Sequence, residues 1–328
     1  MGQQCPEQKI ENLKNMQKPG DHREQNVQRV QPAVLMTKGG RKVIAAATSG
    51  FCYGVQRAVD AAYQALSEQG GRVYTYGPIV HNELVVRDLE KRGALVIPDE
   101  ESLVKMAEEG TLSGIPVVIR AHGVGQKVYA VLRESGARVI DATCPYVKKI
   151  HSLVKKYHEA GAQILVTGSG THPEVIGILG QIGGDAYVIE NQGEAENLQL
   201  DREKPVCIVS QTTFSLQKFE DIVAILEKKQ YNMDILNTIC NATQMRQTEA
   251  AELALECDAM IVIGGKNSSN TAKLFEICQS ECNKTYFIQS AGDLDETFNS
   301  VRCVGITAGA STPKSIIEEV LKYVRDEF

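Results

Sequence analysis

Residues 138–157 read RVIDATCPYVKKIHSLVKKY, a short apolar strand that stops at Cys144 and turns at once into a helix. Two other stretches share this grammar. KVIAAATSGFCYGVQRAVDAA, residues 42–62, passes from β-branched and small residues through Cys52 into helical periodicity, and DILNTICNATQMRQTEAAELA, residues 234–254, does the same through Cys240. The three cysteines lie 92 and 96 positions apart, so the chain reads as a repeat.

Two further loops keep step with that repeat. About 28 residues after each cysteine a polar loop opens a new helix: PIVHNELVVRDLEKRG with His81, GTHPEVIGILGQ with His172, and KNSSNTAKLFEIC with Ser268. About 70 residues after each cysteine a loop follows a strand: VVIRAHGVG with His122, VCIVSQTTFS with Thr212, and CVGITAGASTP with Ser311. The expected organisation is a polar leader over residues 1–40, expected to be disordered, then units at 41–137, 138–233 and 234–328. Within each unit short apolar runs alternate with amphipathic helices. That is the α/β pattern, with mostly parallel sheets and ligand sites at the carboxyl ends of strands.

Composition narrows the function. The net charge is −6, and lysines such as Lys148, Lys149, Lys155 and Lys156 are spread along helices, which describes solvated faces and no nucleic-acid footprint. No run of eighteen apolar residues offers a membrane span. Nine cysteines without a secretory signal point to a reducing compartment, the cytoplasm, where thiols are reduced, metal-bound or catalytic. Pro6 breaks the myristoylation pattern after Met1-Gly2, and Cys5 in the leader is given no role. Gly168-Ser169-Gly170 lacks the third glycine of a dinucleotide fingerprint, and Gly264-Gly265-Lys266 lacks the spacing of a P-loop.

Three cysteines at equivalent strand ends and helix N-termini would meet on a pseudo-threefold axis if the units pack around one centre. Helix N-termini favour thiolates, and thiolates select zinc or iron–sulfur. With no fourth repeat there is no evident fourth cysteine ligand, so one iron of a [4Fe–4S] cluster would stay open to substrate. Any one of these cysteines alone would read as a small buried residue; their repetition, and the polar flanks Asp141, Thr143, Asn237, Thr238 and Asn241, argue for ligation. Cys207, Cys257 and Cys303 read as packing, as do Cys278 and Cys282 at i, i+4. His81, His122, His172, Thr212, Ser268, Ser269, Asn270 and Ser311 supply donors near helix N-termini, an anion site fit for phosphate without lysine or arginine, although each Ser or Asn alone reads as a helix cap. Glu174 is the one carboxylate on these loops and a candidate general acid. His22, His151 and His158 lie in the leader or on helices and are expected to be solvated.

In order, GFCYGV, IVHNELVV, AHGV, DATCP, HPEVIG, SQTT, ICNAT, KNSSN and TAGAS resemble the 4-hydroxy-3-methylbut-2-enyl diphosphate reductase family over Lys42 to Phe328. The resemblance implies a trefoil of three α/β units around one [4Fe–4S] cluster held by Cys52, Cys144 and Cys240, with one open iron for the substrate hydroxyl. It implies that His81, His122, Ser268, Asn270 and Ser311 hold an allylic diphosphate, with Ser269 nearby. His172 and Thr212 would line the pocket and Glu174 would pass protons to the leaving hydroxyl. The implied reaction is a two-electron reductive dehydroxylation to isopentenyl and dimethylallyl diphosphates, the last step of the non-mevalonate pathway, with electrons from ferredoxin or flavodoxin. Two flanking positions depart from the family pattern: Thr48-Ser49, where a basic residue is frequent, and Thr171, where a glycine is common. The rival readings are a quinolinate-synthase-like dehydratase, against which the Ser-Ser-Asn loop argues, and a non-catalytic iron–sulfur sensor or zinc protein, which leaves Glu174 and Thr212 unexplained.

Overall fold

The computed structural model describes residues 32–37, 39–69, 72–294 and 301–327. These form two compact units: a smaller one of His122–Lys127 and Pro145–Ile239, and a larger one from Val30–Ala121, Val128–Cys144 and Cys240–Phe328.

The smaller unit holds one parallel sheet in the order Met233–Ile235, Val206–Ser210, Gln163–Thr167, Tyr187–Ile189. The larger holds two. One runs Arg138–Asp141, Pro116–Ile119, Val73–Tyr76, Ala94–Ile97, all parallel. The other runs Lys42–Ala45, Cys303–Ala308, Ala259–Ile263, Thr285–Ile288, parallel, with Ala33–Met36 added antiparallel outside Lys42–Ala45. Counting parallel strands along the chain, every sheet has the order fourth, third, first, second. In the last sheet the fourth place is filled by Lys42–Ala45, the first parallel strand of the whole chain. The repeat is therefore a repeat of topology, and each of Cys52, Cys144 and Cys240 follows the fourth strand of a sheet.

This differs in one respect from the sequence expectation, which placed the strand of each cysteine stretch at the head of a new unit. The ladders put Arg138–Asp141 beside Pro116–Ile119 and Met233–Ile235 beside Val206–Ser210, at the edge of the sheet already built. The helices Gln126–Glu134 and Leu216–Lys228 are the crossovers that deliver them there, as a parallel connection requires. The leader is corrected too: Ala33–Met36, an apolar AVLM run, is an edge strand inside the region expected to be disordered. Residues 1–31 and 38 of that leader, with Cys5 and His22 among them, lie outside the described residues.

Val117, Val118 and Ile119, and likewise Ile261, Val262 and Ile263, are fully buried, as central parallel strands covered on both faces must be. Each such side chain contributes roughly 1.5–3 kcal/mol by leaving water. In the Pro145–Glu159 helix the buried face is Val147, Ile150, His151, Val154 and Tyr157, at spacings of three and four, while Lys148, Lys149, Lys155 and Lys156 are exposed. His151, expected in solvent, is buried because it falls on that stripe; His158 faces Asp185 at 3.0 Å. Among the described residues no helix is long and apolar enough to cross a membrane.

Candidate functional site

The larger unit carries the three cysteines. Cys52 precedes the Tyr53–Gln69 helix and donates its N–H to the Ala310 carbonyl at 3.3 Å. Cys144 precedes Pro145 and donates to the Ala121 carbonyl at 3.0 Å. Cys240 is the N-cap residue of the Asn241–Glu256 helix, with its sulfur 3.2 Å from the Thr243 hydroxyl. All three are half-buried.

The polar flanks have a local cause. Asp141 and Asn237 each stand three residues before a cysteine, and each side-chain oxygen accepts the N–H two residues on, from Thr143 at 2.9 Å and Ile239 at 3.1 Å. Thr238 accepts from the Ser210 N–H and donates to its carbonyl. These turns end the strand and aim the chain into the helix, so the flanks themselves are no evidence for a ligand.

Convergence of the cysteine stretches is independent evidence. A Cβ placed on Gly54 would stand 2.7 Å from the Cys144 sulfur, closer than a side-chain carbon tolerates, so only glycine lets that sulfur rest on the first turn after Cys52. One turn on, Arg57 donates to the carbonyls of Thr143 and Asp141 at 2.8 and 3.1 Å. Arg246, six residues after Cys240, donates to the Gly50 carbonyl at 2.8 Å and to that of Ala242 at 3.0 Å. On the same helix Glu249 accepts the N–H groups of Ala47 and Thr48 at 2.7 and 2.9 Å, and also the Thr48 hydroxyl. Two arginines and a glutamate thus tie one cysteine stretch to the next. Sequence reading missed all three, since each sits at an ordinary helical position; the available signal was a charge interrupting a small-residue face, as Arg57 does between Val55 and Ala58-Val59.

The polar loops of this unit join the same network. Ser268 caps the Ser269–Glu281 helix by accepting the Thr271 N–H. Asn270, buried, accepts the Ala310 N–H at 2.9 Å, and the carbonyl of that same Ala310 receives Cys52. Ser311 follows directly and is buried; Ser269 is half-buried on the first turn. His81 precedes the N-cap Asn82 beside a cleft of about 290 Å³ that Gly265, Lys266 and Asn267 also line. Burial, and then the Arg120 cation, push the His81 imidazole down to about 4, so the ring is neutral at pH 7.

The smaller unit carries the acid. His172 is the N-cap of the Pro173–Leu179 helix, and its Nδ1 accepts the Glu174 N–H at 3.1 Å, which leaves the ring proton on Nε2. The His122 ring meets the His172 ring edge to face, centroids 5.2 Å apart. Behind them Gly125 and Gly180 touch backbone to backbone: a Cβ on either would lie within 2.9 Å of the other, and the Gln126 N–H reaches the Gly180 carbonyl. Glu174 is 2% exposed. One carboxylate oxygen accepts the Thr212 N–H at 2.6 Å and the other the Thr212 hydroxyl at 2.7 Å. Burial pushes the acid up to about 7, with both Thr212 donors pulling the other way. An acid balanced near neutrality is a competent proton donor.

The remaining described cysteines fall where packing was expected. Cys207, Cys257, Cys278 and Cys282 are buried in cores, Cys303 packs against one, and no disulfide joins the described cysteines. Burial, with Asp234 second, pushes the Cys207 thiol up, which suits an inert core residue.

One sheet order used three times, each time running out into a cysteine, defines a class of three-sheet α/β proteins. The chain belongs to the LytB protein family, whose profile matches residues 43–325. Over 288 residues it is 43% identical to a protein of Caldanaerobacter subterraneus subsp. tengcongensis named 4-hydroxy-3-methylbut-2-enyl diphosphate reductase, covering 87% of this chain and 96% of the relative. A Clostridium perfringens protein of the same name is 43% identical over 291 residues, covering 87% of this chain and 99% of that one. Among solved structures, the E-1-hydroxy-2-methyl-but-2-enyl-4-diphosphate reductase of Plasmodium falciparum superposes with a TM-score of 0.79 at 30% identity, covering 86% of each chain. A second, described as the terminal enzyme of the non-mevalonate pathway, gives 0.61 at 40% identity, covering 86% of this chain and 98% of its own.

Proposed function

We propose that this chain is a 4-hydroxy-3-methylbut-2-enyl diphosphate reductase, making isopentenyl and dimethylallyl diphosphates at the end of the non-mevalonate pathway. The reaction takes up two electrons and two protons, breaks the allylic C–O bond and releases water. The observation that carries the reading is Glu174, a fully buried carboxyl held at the balance point of its proton by Thr212.

The donor set fits an iron–sulfur cluster. Three half-buried cysteines stand at helix N-termini, and the Arg246 cation bonds the carbonyls of Gly50, two residues before Cys52, and Ala242, two residues after Cys240. Cys52, Cys144 and Cys240 would hold a [4Fe–4S] cluster, which when bound supplies the electrons one at a time. The chain's own residues do the rest. His81, His122, Ser268, Asn270 and Ser311 donate hydrogen bonds to the diphosphate, with Ser269 beside them. The neutral His81 ring does so without a charge of its own. Glu174 gives its proton to the departing hydroxyl, Thr212 holds the carboxyl in place, and His172, beside the pocket, caps the backbone N–H of Glu174. Ferredoxin or flavodoxin is the electron donor we assign, and the cytoplasm the compartment.

The test is anaerobic. Iron and sulfide are reconstituted, and oxidation of dithionite-reduced methyl viologen is followed on adding the allylic diphosphate. Oxidation that requires both the metal and the substrate, with five-carbon diphosphates as products, supports the assignment. Iron-loaded protein that oxidises no viologen when substrate is added sinks it.

A further inference from the structure

We propose that Arg246 is a positioning residue that sets a fixed positive charge between the Cys52 and Cys240 stretches while tying the Cys52 loop to the first turn of the Cys240 helix. The inference rests on the reading of Cys52, Cys144 and Cys240 as cluster ligands.

Arg246 is 5% exposed, and a buried guanidinium is costly unless an anion repays its lost hydration. Its hydrogen bonds go to the Gly50 and Ala242 carbonyls, which are polar but uncharged, and its buried Nε has no hydrogen-bond partner. The bonds fix the guanidinium between the two cysteine stretches, since Gly50 stands two residues before Cys52 and Ala242 two residues after Cys240. A group held by both cysteines would meet this cation there. Burial works against the cation, while Cys52, Cys240 and Glu249 act electrostatically in its favour.

The fork explains the residue type. One Nη reaches back a single helical turn to Ala242 and the other reaches Gly50, 196 positions away in the chain and two residues before Cys52. A lysine could supply the charge but not both bonds. A fixed cation at this place would stabilise whichever state of a bound cluster carries more negative charge, which is the reduced one over the oxidised one.

The experiment compares reconstituted wild-type protein with Arg246→Gln and Arg246→Lys, reading iron per chain and the midpoint potential by anaerobic spectroelectrochemistry. In Arg246→Gln the equilibrium constant for one-electron reduction should fall at least tenfold, a potential at least 59 mV more negative. Arg246→Lys, which keeps the charge, should lie nearer to wild type than to the glutamine variant. A fully loaded glutamine variant with an unchanged potential overturns the proposal, as does a lysine variant that drops as far as the glutamine one. Should Arg246→Gln hold no iron, the lysine variant decides: loaded with a potential near wild type it supports the charge, and iron-free it overturns it. If wild-type protein itself takes up no iron, the ligand reading fails before Arg246 is tested.

Discussion

Removing the Thr212 hydroxyl should move the proton of Glu174 without touching its burial. The carboxyl is lifted to about 7 because it is fully buried, and it is kept from rising further by the Thr212 N–H at 2.6 Å and hydroxyl at 2.7 Å. Thr212→Val keeps the backbone donor and the branched shape and deletes the second bond. A hydrogen bond to a charged group contributes about 1.5–3 kcal/mol, and 1.36 kcal/mol corresponds to one pKa unit, so the acid should rise by about one to two units. Glu174 would then hold its proton to higher pH, and the alkaline fall of kcat should move from near 7 to between about 8 and 9. Thr212→Ser, which restores the hydroxyl, should return the fall to its wild-type position. The assay is kcat and KM of viologen-coupled turnover across this range, paired with difference infrared detection of the protonated carboxyl, a band that Glu174→Gln must lack. A fall of kcat that stays in place in Thr212→Val, while the infrared band moves, would show that Glu174 is not the proton donor in turnover. A band that does not move would refute the electrostatics.

Three other substitutions read the same site. Glu174→Gln should keep the iron and lose at least about a hundredfold in kcat; it should also separate from wild type in stability as pH rises. The raised acid binds its proton in the folded state between 4.5 and about 7, so wild-type stability falls as pH climbs through that window, by about 3 kcal/mol in total, and the glutamine variant should not follow in urea unfolding of the apoprotein. Gly54→Ala gains about 1 kcal/mol of helix propensity but sets a methyl 2.7 Å from the Cys144 sulfur, so the apoprotein should stay folded by circular dichroism while bound iron drops below wild type. Asn270→Ala strips the acceptor from the buried Ala310 N–H, which should cost about 1–3 kcal/mol in urea unfolding and raise KM, because Ala310 also positions Cys52; an unchanged KM would separate Asn270 from substrate.

Much of this architecture was legible because parallel strands covered on both faces are written as short unbroken apolar runs. VYTY, PVVI, QILVT, VCIVS and AMIVI announce themselves, and the turn into a helix behind each cysteine is equally plain. What periodicity cannot carry is which sheet takes a strand. Lys42–Ala45 pairs with Cys303–Ala308 from the far end of the chain, a partnership on which a four-residue run is silent. The same blindness hid Ala33–Met36, whose one ladder partner among the described residues is that displaced strand.

The site divides along the same line. Cysteines, histidines and Glu174 could be picked out because their kind and their spacing recur. Arg57, Arg246 and Glu249 could not, because an arginine or glutamate on a helix is ordinary until the stretch it holds is known, and those stretches are 84 to 202 residues away. The flanks Asp141, Asn237 and Thr238 err in the opposite direction: they looked like evidence of ligation and are turn-makers that bond within their own neighbourhood. Their uncommitted neighbours carry more information than they do. A polar residue beside a repeated cysteine is accounted for by the turn it makes, whereas a buried cation bonded only to carbonyls calls for a nearby negative charge, and Arg246 stands where the proposed cluster would supply one.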